Sequence, residues 1–185
     1  MPNRPLRVTV LVGSLRRDSV NRRLAELAVA HAPEGVGVQI VDDLHLLPFY
    51  NEDIDADDQR GAAVEELRAA VGASDALLVV TPEYNGGSPA VLRNAIDWLS
   101  RPYGAGALGG LPVGVIGAAL GRYAGTWARD DVRKAAGIAG AEVIEEIDLG
   151  LPTAGLEGDW TRAPELVEQV TAALDRLTSA VGVSA

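Results

Sequence analysis

The chain has 185 residues with a formal net charge of −10, and 48% of its residues are hydrophobic. This length and composition fit one globular domain, expected to span residues 1–185, while the negative charge disfavours nucleic acid and anionic membranes as partners. The chain contains no cysteine, which excludes disulfides, iron–sulfur clusters and cysteine nucleophiles, so a redox role would require a bound cofactor.

At the start of the chain, residues 1–13 contain one short apolar run after a polar beginning. This segment lacks the length and the small-residue cleavage site of a signal peptide, and no later stretch is long enough to cross a membrane. We therefore expect a cytoplasmic protein with no membrane partner. His31 and His45 lie in different segments without partner ligands at a suitable spacing, so no metal site is expected.

Strand and helix signals alternate along the rest of the chain. Short apolar, β-branched runs predict five strands, at Leu6–Val12, Val36–Val41, 76–80, 112–116 and, more weakly, 141–147. Apolar residues at helical spacing predict helices at 19–32, 61–73, 89–99, 127–139 and 166–181, with a polar loop at 42–58. This alternation indicates an α/β domain with a parallel sheet covered on both faces. Rossmann-like and flavodoxin-like strand orders both fit, and both place ligands at the carboxyl ends of the strands.

The loop after the first strand carries side chains suited to a phosphate group. Its hydroxyl, guanidinium and amide donors stand directly before a helix, at Ser14, Arg16, Ser19 and Asn21. Free N–H groups at a helix start, together with these donors, match the three acceptor oxygens of a phosphate monoester. A helix cap formed by Asp18 or Ser19 would explain part of the same pattern, so capping and phosphate binding both stay open.

The loop after the third strand combines rigid and polar residues. It reads Thr-Pro-Glu-Tyr-Asn-Gly-Gly-Ser-Pro over residues 81–89. Such a kinked segment can lay its backbone against a flat ring, and Tyr84 could stack on the ring or wall the site. A turn followed by a helix start would explain the prolines and glycines, but not Glu83, Tyr84 or Asn85.

The loop after the fourth strand consists mainly of small residues. It begins with Gly117 and Ala118 and continues through residues 119–125. Small side chains permit the backbone to approach a ligand closely, although a flexible connector would have a similar composition. This loop is therefore the least specific of the three.

Taken together, these motifs resemble the NADPH-dependent FMN reductase family, which includes quinone, chromate and azo-dye reductases. The resemblance rests on Gly-Ser-Leu-Arg at 13–16 followed by Ser19 and Asn21, on Thr-Pro-Glu-Tyr-Asn at 81–85, and on Leu-Arg-Asn-Ala-Ile-Asp-Trp at 92–98. It extends from Leu6 to about Glu146. It implies a flavodoxin-like three-layer sandwich whose five-stranded parallel sheet has the order 2-1-3-4-5. At Gly86 and Gly87 the chain departs from the residues common in the family.

The resemblance also implies a cofactor and its binding residues. In the family, the first loop holds the FMN phosphate, the second lines the isoalloxazine ring and the third borders the flavin. Transferred position by position, the phosphate site consists of Ser14, Leu15, Arg16, Ser19 and Asn21, the ring site of Pro82, Glu83, Tyr84 and Asn85, and the border of Gly117 and Ala118. NADPH or NADH would be the co-substrate.

The implied activity is that of an NAD(P)H-dependent FMN oxidoreductase. The flavin would accept a hydride from the nicotinamide and pass two electrons to a small acceptor such as a quinone, free flavin, azo compound or metal oxyanion. Ping-pong kinetics are expected because donor and acceptor would use the same open ring face. Arg101 and Arg122 could reach the site and attract the anionic donor. No side chain is assigned a catalytic role, because this chemistry requires no general acid or base.

Two alternatives stay open. An FMN-binding electron carrier or regulatory interaction protein would need no nicotinamide site, but such carriers usually lack an arginine like Arg16 and surround the flavin with aromatic residues, of which the third loop offers only Tyr123. A Rossmann-type protein that binds a different phosphate ester is the other alternative.

The resemblance further implies self-association as a dimer or tetramer. In the family, the helix at 89–99 and the segment after it contribute to the interface. The candidate contacts are Tyr84, Leu92, Ile96, Trp98 and Tyr103, some of which we expect to be core residues instead.

Overall fold

A parallel β-sheet forms the centre of the protein, whose computed structural model describes residues 4–56 and 58–182. The strands are β1 (Leu6–Val12), β2 (Val36–Val41), β3 (Ala76–Thr81), β4 (Pro112–Ala119), β5 (Glu142–Val143) and β6 (Gly150–Pro152). Their order is β2-β1-β3-β4-β5, and β6 also pairs with β4. The predicted flavodoxin-like fold and the order 2-1-3-4-5 are confirmed.

The predicted fifth strand at 141–147 is wrong in extent, because the chain pairs with β4 in two short pieces. Pro112 and Val113 pair with β5, whereas the last three residues of β4 pair with β6. Between the two pieces, the Ile147 N–H donates to the Ile144 carbonyl and closes a turn. Ile147 then packs over Gly114, where an added Cβ would lie 2.9 Å from Ile147 Cδ1. The apolar run at 141–147 thus caps the sheet face and does not continue as a strand.

Five helices cover the two faces of the sheet. They are α1 (Val20–Ala30), α2 (Ala62–Gly72), α3 (Ala90–Leu99), α4 (Thr126–Ile138) and α5 (Pro164–Ser179). Helices α1 and α5 share one core with the sheet, while α2, α3 and α4 share the other. The polar loop at 42–58 contains two short 3₁₀ turns, Leu44–Leu46 and Glu52–Ile54, and its residue 57 lies outside the described residues. No helix in the described ranges is long and apolar enough to cross a bilayer.

Most residues of helix α3 are buried, and several of the candidate interface residues are among them. Leu92, Ile96 and Trp98 are all at most 3% exposed and belong to the core. The indole Nε1 of Trp98 donates to the Pro48 carbonyl at 2.8 Å, and the Asn94 side chain also binds the backbone of this loop. These core residues are therefore not available as subunit contacts, in contrast to the exposed Tyr84 and Tyr103.

Candidate functional site

A cavity of about 410 Å³ lies at the carboxyl ends of β1, β3 and β4. In a parallel sheet of this order, the connections leave β1 and β3 towards opposite edges of the sheet. The crevice between these two strands is the topological switch point, where ligands bind in such folds. The loops after these three strands and the residue after β6 supply the walls, which are formed by Ser14, Arg16, Ser19, Val20, Asn21, Pro82, Glu83, Tyr84, Ala118, Ala119, Leu120 and Thr153.

The loop after β1 presents polar groups that the protein leaves largely unused. Gly13 opens the loop where no side chain fits, because an added Cβ would lie 2.5 Å from Leu92 Cδ1. In the described ranges the Ser14 hydroxyl has no protein hydrogen-bond partner. The exposed Arg16 guanidinium donates a single bond, from Nη2 to the Asp18 carbonyl at 3.1 Å. A hydroxyl and most of a guanidinium therefore remain free to bind an anion.

The start of helix α1 forms the inner end of the same wall. The Ser19 Oγ caps the helix by accepting a hydrogen bond from the Arg22 N–H, so the capping role considered from the sequence is real. A cap of this kind satisfies one backbone donor, and other first-turn N–H groups still face the loop. The cap therefore does not exclude anion binding at this helix start.

Asn21 lines the cavity, but its side-chain amide already has partners within the protein. Its amide nitrogen donates to the Ala118 carbonyl at 2.9 Å, and its amide oxygen accepts from the Ala118 N–H at 2.8 Å. The side chain is 4% exposed. Both ends of the amide are therefore used to join α1 to β4 beneath the cavity, and Asn21 shapes the floor of the site.

The loop after β3 is a tight turn with an open tip. Tyr84 and Gly87 exchange two backbone hydrogen bonds, and the residues between them, Asn85 and Gly86, have φ values of 53° and 74°. Positive φ at both central positions is the pattern of a type I′ turn, for which Asn-Gly is a preferred pair. The departure from the family pattern at Gly86 is explained by this turn. It leaves Tyr84 in the cavity wall, 53% exposed.

Two carboxylates fasten this loop to helix α4. Glu83 Oε2 accepts a hydrogen bond from the Ala128 N–H, in the first turn of α4, at 3.2 Å. Asp131 accepts hydrogen bonds from the backbone N–H and the hydroxyl of Ser88. Partial burial alone would raise the pKa of Asp131, but the hydrogen bonds from Ser88 and the charge of Arg93 outweigh it and lower that pKa. The ionised form is therefore favoured, and the loop is held from both sides of the turn.

The end of β4 forms the last wall. Gly117 lies below the cavity and not in its lining, because it packs against β3 where an added Cβ would lie 2.3 Å from the Thr81 carbonyl oxygen. Ala118, Ala119 and Leu120 follow it into the wall. The Thr153 N–H donates to the Ala119 carbonyl at 2.9 Å, which brings a residue from after β6 to the cavity.

The structure brings most of the predicted site residues together. Three of them do not line the cavity: Leu15 and Asn85 are exposed at its rim, and Gly117 is buried below it. Ala119, expected among the small residues around the ring, does line it, whereas Val20, Leu120 and Thr153 were not predicted. Val20 and Leu120 are each next to an expected residue and could have been inferred from continuity. Thr153 could not, because it depends on the three-residue strand β6, which is too short to give an alternating pattern.

Comparison with known proteins identifies the family. The sequence model of the NADPH-dependent FMN reductases matches residues 6–155. The chain belongs to this family. A 2-hydroxy-1,4-benzoquinone reductase from Burkholderia sp is 41% identical over 128 residues, which cover 69% of this chain and 68% of that protein. A quinone reductase from Pseudomonas putida is 42% identical over 127 residues, covering 69% and 67% of the two chains.

A solved structure supports the same assignment. The flavoenzyme NAD(P)H:(acceptor) oxidoreductase FerB from Paracoccus denitrificans superposes with a TM-score of 0.75 at 30% identity, covering 94% of this chain and 98% of that one. Membership of the NADPH-dependent FMN reductase family confirms the predicted oxidoreductase class, with FMN as cofactor and NAD(P)H as co-substrate.

The residues present fit the FMN of an NADPH-dependent FMN reductase. The cavity volume of about 410 Å³ lies within the range of about 300–1,000 Å³ typical of small-molecule sites. The loop after β1 and the start of α1 line it with the free Ser14 hydroxyl and the Arg16 guanidinium, as a terminal phosphate requires. The loops after β3 and β4 line it with Pro82, Tyr84 and small alanines, which are compatible with a flat ring.

Proposed function

We propose that this protein is an NAD(P)H-dependent quinone reductase that binds FMN in the cavity at the carboxyl ends of β1, β3 and β4. The observation that carries this proposal is the polarity of the cavity. Unused donors at Ser14 and Arg16 line it from the loop after β1, and Pro82 and Tyr84 line it from the loop after β3. The names of the relatives, which are quinone reductases, support a quinone as the acceptor.

The residues of the first loop would hold the phosphate. The Ser14 hydroxyl and the Arg16 guanidinium would donate to its oxygens, and the first turn of α1 would add backbone N–H groups and a favourable dipole. Ser19 would keep this turn in place as its cap. Asn21 would act through Ala118, by fixing the floor on which the ligand rests.

The residues of the second and third loops would position the ring and leave one face open. Pro82 and Tyr84 would line one edge of the ring, while Glu83 would hold that segment against α4. When bound, FMN supplies the hydride-transfer chemistry between NAD(P)H and the acceptor. The alanines at 118 and 119 would leave room for a nicotinamide and then for a quinone on the same face, which gives ping-pong kinetics. A free flavin, azo compound or metal oxyanion could enter the same space.

Of the two arginines expected to attract the nicotinamide donor, one stands near the site. Arg122 follows the lining residue Leu120, and its guanidinium lies 4.6 Å from the Tyr123 ring centroid. Arg101 follows the far end of α3, borders a different cavity and donates to the Tyr50 hydroxyl at 3.2 Å. We therefore assign the electrostatic role to Arg122 and withdraw it from Arg101.

Self-association would use the face between α3 and α4. A second cavity of about 640 Å³ lies there, bordered by Tyr103 and Ile138, which are 93% and 79% exposed. Exposed large apolar side chains beside a groove are typical of subunit interfaces. We propose a dimer, or a tetramer built from it, through this face. Light scattering at micromolar concentration that gave the mass of one chain would contradict it. The cytoplasmic location stays a prediction.

Anaerobic mixing tests the function directly. The FMN-loaded protein is mixed with NADH and, separately, with NADPH, and the flavin absorbance is followed before a benzoquinone is added. Loss of the oxidised flavin band within one turnover, and its return on addition of quinone, are expected for the reductase. A flavin that stays oxidised with both donors but is reduced by dithionite would identify an electron carrier instead.

A further inference from the structure

Two buried arginines on helix α4 face the break between β5 and β6. Arg129 and Arg133 are one helical turn apart, and they are 4% and 7% exposed. Buried arginine is uncommon, because an unpaired guanidinium in a protein interior is strongly unfavourable. Each of these two must therefore be held by specific partners, and the two sets of partners differ.

Arg133 donates hydrogen bonds to backbone carbonyls at the break between β5 and β6. Its Nη2 donates to the Ile147 carbonyl at 2.9 Å and lies 3.5 Å from the Val115 carbonyl, in the stretch of β4 that neither β5 nor β6 pairs. It also binds Asp148 Oδ1 at 2.7 Å. The guanidinium thus supplies donors where a continuous fifth strand would have supplied N–H groups.

Arg129 reaches in the other direction, into the turn that follows β4. Its Nη1 donates to the Ala124 carbonyl at 2.6 Å, and its Nε donates to Asp148 Oδ1 at 3.1 Å. The path of this side chain passes Gly150, where an added Cβ would lie 2.2 Å from Nη1. Gly150 therefore leaves the space through which Arg129 reaches the turn.

The turn that Arg129 holds has an unfavourable backbone. Ala124 has a φ of 50° and is followed by Gly125 with a φ of 79°. A left-handed alanine costs free energy, and such a residue persists only where surrounding contacts hold it. The Arg129 bond to the Ala124 carbonyl is a buried contact of this kind.

The same turn forms the outer wall of the cavity. Leu120 lines the cavity and is 74% exposed, so this part of the wall is open to solvent, whereas the phosphate donors lie on the first loop. Gly125 closes the turn back onto the site, where its added Cβ would lie 3.5 Å from Ala119 Cβ and 3.8 Å from Glu83 Cβ. A displacement of the turn would therefore alter the space for the acceptor more than the phosphate site.

We propose that Arg129 is a positioning residue that, through the Ala124 carbonyl, holds the 120–125 turn and so sets the width of the acceptor side of the cavity. This inference rests on the proposed reductase function. Arg133 is the matched control, since it has similar burial and shares Asp148, while its hydrogen bonds within the described residues go to Asp130, Val115, Ile147 and Asp148 and not to the turn.

The first test compares Arg129→Met with Arg133→Met in the FMN-loaded protein. Both substitutions should lower Tm, since each leaves buried carbonyls without a donor. Only Arg129→Met should raise the KM for benzoquinone, by roughly five-fold or more, while its FMN dissociation constant stays within about two-fold of the wild type. Arg129→Lys, which keeps a donor, should restore part of the change. An equal rise in KM for both methionine variants, or no rise for Arg129→Met, would overturn the proposal.

A second readout does not depend on activity. Arg122 is exposed in the turn, so trypsin can cleave after it once the turn is released, and cleavage after the exposed Arg162 serves as an internal reference. The ratio of the two rates, measured by mass spectrometry, should rise about five-fold or more in Arg129→Met and stay near the wild-type value in Arg133→Met.

An unchanged ratio in Arg129→Met would contradict the proposed contact even if the protein proved to be an electron carrier. A wild type without NAD(P)H turnover but with the raised ratio in the variant would count against the reductase function alone.

Gly150→Ala provides a variant that leaves the charge of Arg129 intact. The added Cβ must displace Nη1, so this substitution should raise both the quinone KM and the proteolysis ratio in the same direction as Arg129→Met. Combined with Arg129→Met, it should add little, because both changes break the same contact. Fully additive effects of the two substitutions would show that Gly150 and Arg129 act separately.

Discussion

Helices α1 and α4 both begin beside the cavity, but the charges around their N-termini are opposite in sign. At α1, the cap is the neutral hydroxyl of Ser19, and the cation Arg16 stands in the preceding loop. At α4, the carboxylate of Glu83 accepts a hydrogen bond from the Ala128 N–H. A helix N-terminus favours negative charge, which Glu83 supplies at α4 and which the proposed FMN phosphate would supply at α1.

This difference separates the proposed binding site at α1 from a structural contact at α4, called here the α4 joint, in which Glu83 and Asp131 hold the loop after β3 against the helix. The two helix starts lie at the same edge of the sheet, but α1 has Ser19 as its N-cap, whereas α4 has Gly125, which has no side chain to cap it. The joint at α4 is reinforced by charged groups, Asp131 on Ser88 and Asp148 on the buried arginines. The floor beneath α1 is joined by the neutral amide of Asn21. Loss of the cation before α1 should therefore mainly affect ligand binding, whereas loss of the carboxylate at the start of α4 should mainly affect stability.

Removing the cation at α1 is expected to have the largest effect on ligand binding. Arg16→Ala should weaken FMN binding by about 1.5–3 kcal/mol, the usual contribution of a hydrogen bond to a charged group. The stability of the FMN-free protein should change little, because Arg16 is exposed and makes only one hydrogen bond. Fluorescence titration of FMN and urea denaturation measure the two quantities.

The neighbouring arginine supplies the control for this prediction. Arg17 is exposed but does not line the cavity, so Arg17→Ala should leave FMN affinity within about three-fold of the wild type. A larger loss for Arg17→Ala than for Arg16→Ala would mean that the register of the loop differs from the structure. Equal binding of riboflavin and FMN by the wild type would show that α1 holds no phosphate.

How far the sequence could predict the molecule also depends on the distinction between these helices. The buried central strands β1, β3 and β4 were predictable because they are continuous apolar runs, and the bounds of β1 and of the edge strand β2 match the structure residue by residue. The split of the fifth strand was not, because it depends on Ile147 turning onto Gly114 and on Arg133 reaching across the gap. Such contacts join residues far apart in the chain and leave no periodic signal.

The site shows the same limit at single residues. Residue types and their place after the strands were enough to find the cavity wall at Ser14, Arg16 and Tyr84. They were not enough to show that Asn21 and Glu83 use their polar atoms on the protein itself. An amide or a carboxylate in a loop has the same sequence signature whether its partner is a ligand or a backbone N–H.

A pair of serine substitutions should separate binding from capping within α1. Ser19→Ala removes the cap and should lower the free energy of unfolding by about 1 kcal/mol. Ser14→Ala removes a hydroxyl without a protein partner in the described ranges, so stability should stay constant while FMN affinity falls by about 1 kcal/mol. Urea denaturation without FMN and fluorescence titration with it distinguish the two. A loss of stability in Ser14→Ala would contradict the assignment.

At α4, neutralising the Glu83 carboxylate should affect stability more than FMN binding, the reverse of what is expected for Arg16→Ala. Glu83→Gln keeps the shape of the side chain but removes its charge, so the unfolding free energy should fall by about 0.5–1 kcal/mol through the lost interaction with the helix dipole. FMN affinity should change by less than about three-fold, because the phosphate is expected at α1. A ten-fold loss of FMN affinity would mean that Glu83 binds the ring directly, as the family resemblance implied.

The smallest expected effect concerns pH and the charged joint of α4. Burial alone would raise the pKa of Asp148, but hydrogen bonds from Arg133 and Arg129 and their charges lower it from its ordinary value. A lowered pKa in the folded state stabilises the protein above the unfolded-state pKa of about 3.9, and this contribution is lost as pH falls below that value.

Because the carboxylate is 60% exposed, solvent screens the pairing, and we expect Asp148→Asn to lower Tm by no more than about 4 °C at pH 7. This difference should shrink below about pH 4, whereas the loss in Ser19→Ala, which involves a neutral cap, should not. Thermal unfolding of both variants between pH 7 and pH 3 tests this, and a Tm difference for Asp148→Asn that kept its full size at pH 3 would show that its charge does not stabilise α4.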